Sequence, residues 1–406
     1  MERRVLFYLL LICSSCVQPK TSIEANSDTF MAEPLVKDSF VYYPIKDNRI
    51  KVDLNNPQKA SLFDYFSHIE LIPLETSDKV LIGGNVYDLK YHQNRYYIFD
   101  GMPQFTVQAF DEKGMFITKI GRMGQGPGEY PLIEDIYFNP FTGNIDLLNP
   151  FGIIYSYDYA GKHVKTTMRF AQPSLNEEEL SAVHKLIALN EHTYVFYAQA
   201  HKYRIIYYDF KENRILHQEY EESRVGRYYQ AKPFYEYNGQ WYFCRIFNNE
   251  VYEVGPEALI KAYMWDFGKL NYNSFTVFPE RAGYETDLMI ELVRKLPYRM
   301  YAQGQNNRYV MAQIGLKNQI GSKEDAANLM YDKSTHECKL IEHFDESFMF
   351  RPWIVTNEYV LNWCSHGALE RHISEVMLDE TNRQKFKKLI NTVGELNPVI
   401  IKYYFK

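Results

Sequence analysis

The sequence predicts an all-β fold, a β-propeller of six four-stranded antiparallel blades, and three observations carry that prediction. The first is a repeat. FDEKGMFITKI and YDYAGKHVKTT are each an apolar-alternating run, an Asp-x-x-Gly turn and a second alternating run, and Asp111 and Gly114 return as Asp158 and Gly161 at an offset of 47 residues. The second is a set of six aromatic-rich runs: RYYIFD at Arg95, NIDLLN at Asn144, TYVFY at Thr193, QWYFC at Gln240, RYVMA at Arg308 and EYVLNW at Glu358. Their starts step by 49, 49, 47, 68 and 50 residues, the length of one blade with its turns. The third is composition, since 35 Tyr and 26 Phe in 406 residues favour pleated, half-buried strand surfaces over helices.

Taken in order, the chain opens with a secretory layout. Arg3 and Arg4 precede an apolar run from Val5 to Cys13, too short to span a membrane as a mature helix, and small residues lead to Cys16. Ser14, Ser15 and Cys16 resemble the lipobox of bacterial lipoproteins, with Cys13 in place of the usual Leu. Residues 1–15 are therefore expected to be a lipoprotein-type signal peptide, with Cys16 lipidated and anchoring the chain to a membrane. Residues 16–45 are polar and without period, as a flexible tether would be. In the bacterial group this layout resembles, acidic residues after the lipidated Cys favour surface display. Their absence here favours a periplasm-facing anchor.

Residues 46–406 are assigned to the ring. Each aromatic-rich run is followed, in five of the six units, by a strand pair with sound turn chemistry: Asp-x-x-Gly twice, Asp-x-x-x-Asn in YRIIYYDFKENRILHQEY, Gly-Pro in NNEVYEVGPEALIKAYMW, and the turn of NLMYDKSTHECKLIEHF. The one long step, 68 residues, contains ERAGYETDLMIELVRKLPYRMY, whose apolar spacing predicts a helical insertion over about 280–301. A second helix is predicted over about 379–393, where Phe386, Leu389, Ile390 and Val393 share one face. An open ring would leave two sheet edges exposed, so either the segment before the first blade or Val399 to Phe405 should complete the sixth.

Charge and cysteines exclude several classes. The net charge is −6, and removing residues 1–15 takes away Glu2, Arg3 and Arg4, a net +1, leaving −7. No basic footprint for nucleic acid exists in that balance. Beyond Cys16 the mature chain keeps Cys244, Cys338 and Cys364, an odd number without C-x-x-C spacing, expected to be buried structural thiols.

At LIPLETSDKVLIG, FDEKGMFITKIGRMGQGPGEY, VYEVGPEALIKAYMWDFGK and LNPVIIKYYFK the sequence resembles the six-bladed β-propeller lipoproteins of Bacteroidetes, over Phe63 to Lys406. The resemblance implies the fold and an envelope location. It carries over no catalytic residues, because that group has no generally assigned reaction.

Motifs for chemistry are sparse. Gly121, Gly124, Gly126 and Gly128 crowd together, but Glu129, Tyr130 and Pro131 follow, not the Lys-Ser/Thr and helix of a phosphate loop, so the cluster reads as a stiffened structural connector. Connectors between blades cross the face where binding groups concentrate, and each one carries an Arg. The candidate ligand-binding residues are Arg122, Gln125, Glu129 and Tyr130 in the first connector, Arg169 in the second, Arg227 and Tyr228 in the third, Arg281 in the fourth, and Arg351 and Trp353 in the fifth. A ring of guanidiniums would suit an anionic glycan or peptide, while local pairing, as with Glu129, is the plainer alternative. Asp135, at the start of an inner strand, and Asp287 are placed near the mouth. Histidines are scattered, and neither a metal site, a cofactor nor catalytic residues are expected. The functional expectation is an envelope-anchored binding or scaffold module, bound to the membrane through Cys16, with a glycan or peptide ligand and an envelope protein partner, and no nucleic acid. The alternative is a polysaccharide hydrolase or lyase with its active site in the mouth.

Overall fold

A computed structural model describes residues 45–83, 85–167, 183–198, 203–221, 232–272, 296–317, 324–347, 350–392 and 396–406. Three strands come first: the short β1 (Arg49–Lys51) and β2 (Gln58–Ala60), then β3 (Phe66–Pro73). Five blades then follow in chain order. They are β4 (Val86–His92), β5 (Arg95–Asp100), β6 (Thr106–Asp111) and β7 (Phe116–Lys119); β8 (Asp135–Asn139), β9 (Asn144–Leu148), β10 (Ile154–Tyr157) and β11 (His163–Thr167); and β12 (Val183–Ala188), β13 (Thr193–Ala198), β14 (Tyr203–Asp209) and β15 (Arg214–Glu221). The fourth is β16 (Phe234–Tyr237), β17 (Gln240–Cys244), β18 (Glu250–Val254) and β19 (Leu259–Asp266), and the fifth β20 (Tyr298–Gln305), β21 (Tyr309–Lys317), β22 (Glu324–Asp332) and β23 (Glu337–Phe344). The sixth blade takes β24 (Ile354–Val355), β25 (Tyr359–Cys364) and β26 (Val399–Phe405), and its outermost strand is β3.

Both chain ends therefore close the ring, where the sequence offered one or the other. β26 lies antiparallel between β25 and β3, with Ile401 opposite Leu71 and Asn362. Between β25 and β26 the chain inserts α1 (Leu369–His372) and α2 (Glu380–Ile390). The side chain of Asp379 caps α2 by accepting from Asn382 N at 2.7 Å, which satisfies one of the amides a helix start leaves without a partner. Phe386 and Leu389 are buried and Ile390 packs beside them on the face the sequence predicted, while Val393 lies outside the described residues.

The six aromatic-rich runs are the second strands of their blades, and their legibility has a physical cause. A second strand is covered on both faces by the neighbouring blades, so β13, TYVFYA, is buried at all six positions. An outer strand such as β7, FITK, alternates between half-buried and exposed. The apolar clusters accordingly lie between blades: Tyr97, Ile136, Ile145 and Tyr157 pack between the first and second, and Tyr263, Trp265, Tyr298 and Leu329 between the fourth and fifth.

The Asp-x-x-Gly turns dock one blade on the last. Asp111 Oδ1 accepts from Lys113 N at 2.9 Å and Met115 N at 2.8 Å, and Asp158 Oδ1 accepts from Ala160 N at 3.0 Å and Lys162 N at 2.8 Å. Gly114 and Gly161 have φ of +82° and +83°, and a Cβ there would lie 2.3 Å from Pro73 O and 2.1 Å from Lys119 O, carbonyls on the outer strands of the preceding blades. The 47-residue repeat is thus a docking device.

Outer edges are handled unequally. β1 adds in parallel to β19, pairing Ile50 with Trp265, and β2 adds in parallel to β23. On β3 the edge amide Leu71 N donates to Asn382 Oδ1 at 2.9 Å and Leu71 O accepts from Lys385 Nζ at 3.0 Å, so α2 covers the edge. The expected helical insertion needs correction at its end: Tyr298–Gln305 is the inner strand β20, so 298–301 is extended, because Tyr298 and Met300 pack into the core between blades. The earlier part of that insertion, 280–295, lies outside the described residues, as do the signal peptide, Cys16 and the tether up to residue 44.

Candidate functional site

Inner strands set side by side around an axis bring together residues far apart in sequence. Asp88 and Lys90 share one face of β4, two residues apart, while β8 supplies Asp135 and β12 supplies Lys185. Lys185 Nζ donates to Asp88 Oδ2 at 3.2 Å and to Asp135 Oδ1 at 2.9 Å, and Leu186 N donates to Asp135 Oδ2 at 3.1 Å. Lys90 Nζ lies 3.4 Å from Asp88 Oδ2 and 3.6 Å from Asp135 Oδ1. Lys232, just ahead of β16, donates to Trp353 O and sits 4.5 Å over the Trp353 ring.

The electrostatics follow from burial and charge count. Burial alone would raise the Asp88 carboxyl, but Lys90, Lys185 and Lys232 outweigh it and hold the group well below the usual carboxylate range. Burial pushes the Lys232 ammonium down to about 7; Asp88 and Asp135 oppose that shift, and Lys90 and Lys185 add to it. Asp88 and Asp135 are both buried, and Lys185 bridges the two carboxylates.

This lattice floors a cavity of about 850 Å³ that runs to the hairpins joining first and second strands, where Phe141, Gly239 and Asn357 line it. Phe138, Trp241 and Trp353 supply aromatic walls, with Lys90 and Lys232 below and Gln303, Gln305 and Asn238 among the polar lining. His92 stacks on Phe138 with ring centroids 4.4 Å apart, and burial lowers its imidazole. Glu236 is the one acidic residue in the lining; it is solvent-accessible, yet the surrounding walls raise its carboxyl through desolvation.

The glycine-rich connector, by contrast, is closed on itself. Glu129 pairs with Arg122 and accepts from Gly126 N at 2.8 Å, and a Cβ on Gly124 would run into its Oε2. The Gly126 amide is the first cause, and Arg122 a further one, of the lowered Glu129 carboxyl. Gln125 is exposed. Tyr130 was expected to line an opening and instead is fully buried in the cluster between the first two blades, because its ring fills the space beside Tyr155 and Tyr157. Gly128 O accepts from Tyr157 OH at 3.0 Å, so the loop lies against the third strand of the second blade.

Of the remaining candidates, Arg351 and Trp353 are two residues apart but turn differently. Trp353 lines the cavity, whereas Arg351 is depressed by burial near Tyr301 and, with Arg371, helps burial hold the His372 imidazole down at about 4. Arg169, Arg227, Tyr228 and Arg281 lie outside the described residues, as does Asp287. Cys244 and Cys364 are buried and Cys338 half-buried, and burial pushes all three thiols up to about 12. Among the described residues no group of three or more His, Cys, Asp or Glu could hold a metal ion, and no helix is long and apolar enough to cross a membrane. The lysine–aspartate lattice was missed by the sequence reading except for Asp135. The available signal was charge inside first strands, Asp88 and Lys90 in VYDLKYH and Lys185 in VHKLIA.

Residues 47–404 match the model of a family described as a domain of unknown function, DUF4934. The chain belongs to the DUF4934 family. Among solved structures, this DUF4934 chain is similar to BF0058, a predicted exported protein of Bacteroides fragilis NCTC 9343, with a TM-score of 0.65 and 14% identity, covering 88% of this chain and 99% of that one. A protein of unknown function from Bacteroides caccae matches with a TM-score of 0.37 and 8% identity, over 63% of this chain and 80% of that one. No curated protein matches the DUF4934 chain. The first likeness agrees with the six-bladed ring; it and the family match fit a propeller family of Bacteroidetes.

Proposed function

We propose that this DUF4934 protein is an envelope binding module whose ligand enters the axial cavity from the hairpin side. One observation carries the reading: a cavity of about 850 Å³, within the range of about 300–1,000 Å³ usual for ligand sites, has aromatic walls above a floor of lysines. The hydrolase alternative is less well served there. A pair of carboxyls flanking a glycosidic bond needs two acids facing the substrate, and Glu236 is the one acid in the lining, with Asp88 and Asp135 buried behind the lysines. Likeness to a protein named as exported supports an envelope location, Cys16 in its lipobox-like setting supports a lipid anchor, and the lack of an acidic run after Cys16 favours the periplasmic face. Connector-face binding through Arg122 has less support, since Glu129 already engages that guanidinium.

The test is a panel of envelope glycans and peptides titrated against the full chain and W241A. Removing one aromatic wall should weaken the binding ligand about tenfold or more, read below the variant's own unfolding midpoint because Trp241 also packs on Tyr137; unchanged affinity in W241A would move the site elsewhere. The anchor is tested separately by fractionation, where Cys16→Ala should transfer the protein from membrane to soluble fractions and retention would refute lipidation.

A further inference from the structure

Resting on that reading of the cavity, we infer that the floor made by Lys90, Lys232 and Trp353 is a seat for an anionic group, and that the ligand is an acidic oligosaccharide whose uronate carboxylate docks there. Lys232 and Lys90 both line the cavity, so both ammoniums can meet a ligand, while Lys185, only 5% exposed, belongs to the structural lattice behind them. Trp353, which lines the cavity, has its indole Nε1–H without an acceptor among the described residues. An unmet donor beside two ammoniums matches a group that brings anionic oxygens. Above the floor, the flat face of Trp241 suits the C–H face of a pyranose ring, and the amides of Gln303, Gln305 and Asn238 suit its hydroxyls.

The charged groups around Lys232 set the pH response. Asp88 and Lys90 approach from β4, Asp135 from β8 and Lys185 from β12, while the Trp353 carbonyl and ring lie on the connector before β24. Glu236 on β16 stands apart, since its carboxyl is raised by burial alone. Lys232 is charged below about 7, and a bound carboxylate favours the charged form. Affinity for an acid should therefore be full below neutrality and fall as pH rises past 7, whereas affinity for a neutral analogue should stay flat.

The experiment titrates the full chain with tetragalacturonate and its methyl ester, and with penta-alanine as free acid and amide, from pH 6 to 9. At pH 6 the free tetragalacturonate should bind about tenfold more tightly than its ester, and this preference should vanish in Lys232→Met and persist in Lys232→Arg. Unfolding midpoints of both variants distinguish a lost seat from a lost fold, and the arginine variant keeps the charge if methionine disrupts the floor. Equal binding of acid and ester, with W241A still weakening both, would overturn the seat and leave the cavity reading standing. A Lys232-dependent preference confined to the peptide acid would overturn the saccharide. Absence of binding by both saccharides, with W241A having no effect on any panel ligand, would overturn seat and cavity together.

Discussion

At the rim, Gly161 lets the backbone of the second blade come against Lys119 O of the first; on the axis, Lys185 reaches from the third blade to carboxylates of the first and second. Both join blades, by opposite chemistry. The rim uses local backbone geometry, repeated at each Asp-x-x-Gly, and its polar atoms are satisfied within a few residues. The axis uses long side chains and full charges across three blades, in a buried setting where each charge depends on the others. A ring can thus be rigid at its circumference and still keep charged, solvent-reachable groups at its centre. Arg122 shows that residue type alone does not mark the difference, for its guanidinium is largely exposed yet already engaged by Glu129.

The largest effect should come from the axis. Lys185→Met takes from two buried carboxylates the ammonium that hydrogen-bonds to both, and equilibrium denaturation should show a loss of about 3 kcal/mol. Adding Asp135→Asn to that variant should recover part of it. If the single change cost nothing, the lattice would not be what joins the first three blades at the centre. Next comes the rim: Gly161→Ala puts a methyl against Lys119 O at a positive φ and should cost about 2 kcal/mol or more in the same assay. Gly143→Ala is the sharpening control, because Gly143 also has a positive φ, +66°, but nothing lies within 4 Å of the added carbon. Its smaller loss, about 1 kcal/mol, isolates conformation from docking, and equal losses at both glycines would remove the docking role of the repeat.

The difference between rim and axis also explains what the sequence disclosed. Asp111 and Gly114, like Asp158 and Gly161, stand three residues apart in one turn, so the blade repeat could be read directly, and the second strands announced themselves because burial on both faces makes them rich in aromatic and aliphatic side chains. The site is built otherwise. Lys185 and Asp88 are separated by 97 residues and Lys185 and Asp135 by 50, and no local period records that they meet. Gly and Arg stand out in the connector sequences, yet in the first connector those residues brace their own loop. Tyr130 illustrates the limit: an aromatic after a glycine run reads equally as a ligand platform or as core, and only the packing against Tyr157 decides it.

The order in which the N-terminal segment is laid down has a mechanical consequence. β1 lies on the fourth blade, β2 on the fifth and β3 in the sixth, so the chain entering the ring runs along three successive outer edges before it becomes part of the closure. A tension applied ahead of Ile45 would meet the three residue pairs of β1 and β19 first, then those of β2 and β23, and only afterwards the long register of β3 with β26. The two short parallel strands would act as sacrificial fasteners, peeling and rezipping under load while the clasp that holds the ring shut stays unstressed.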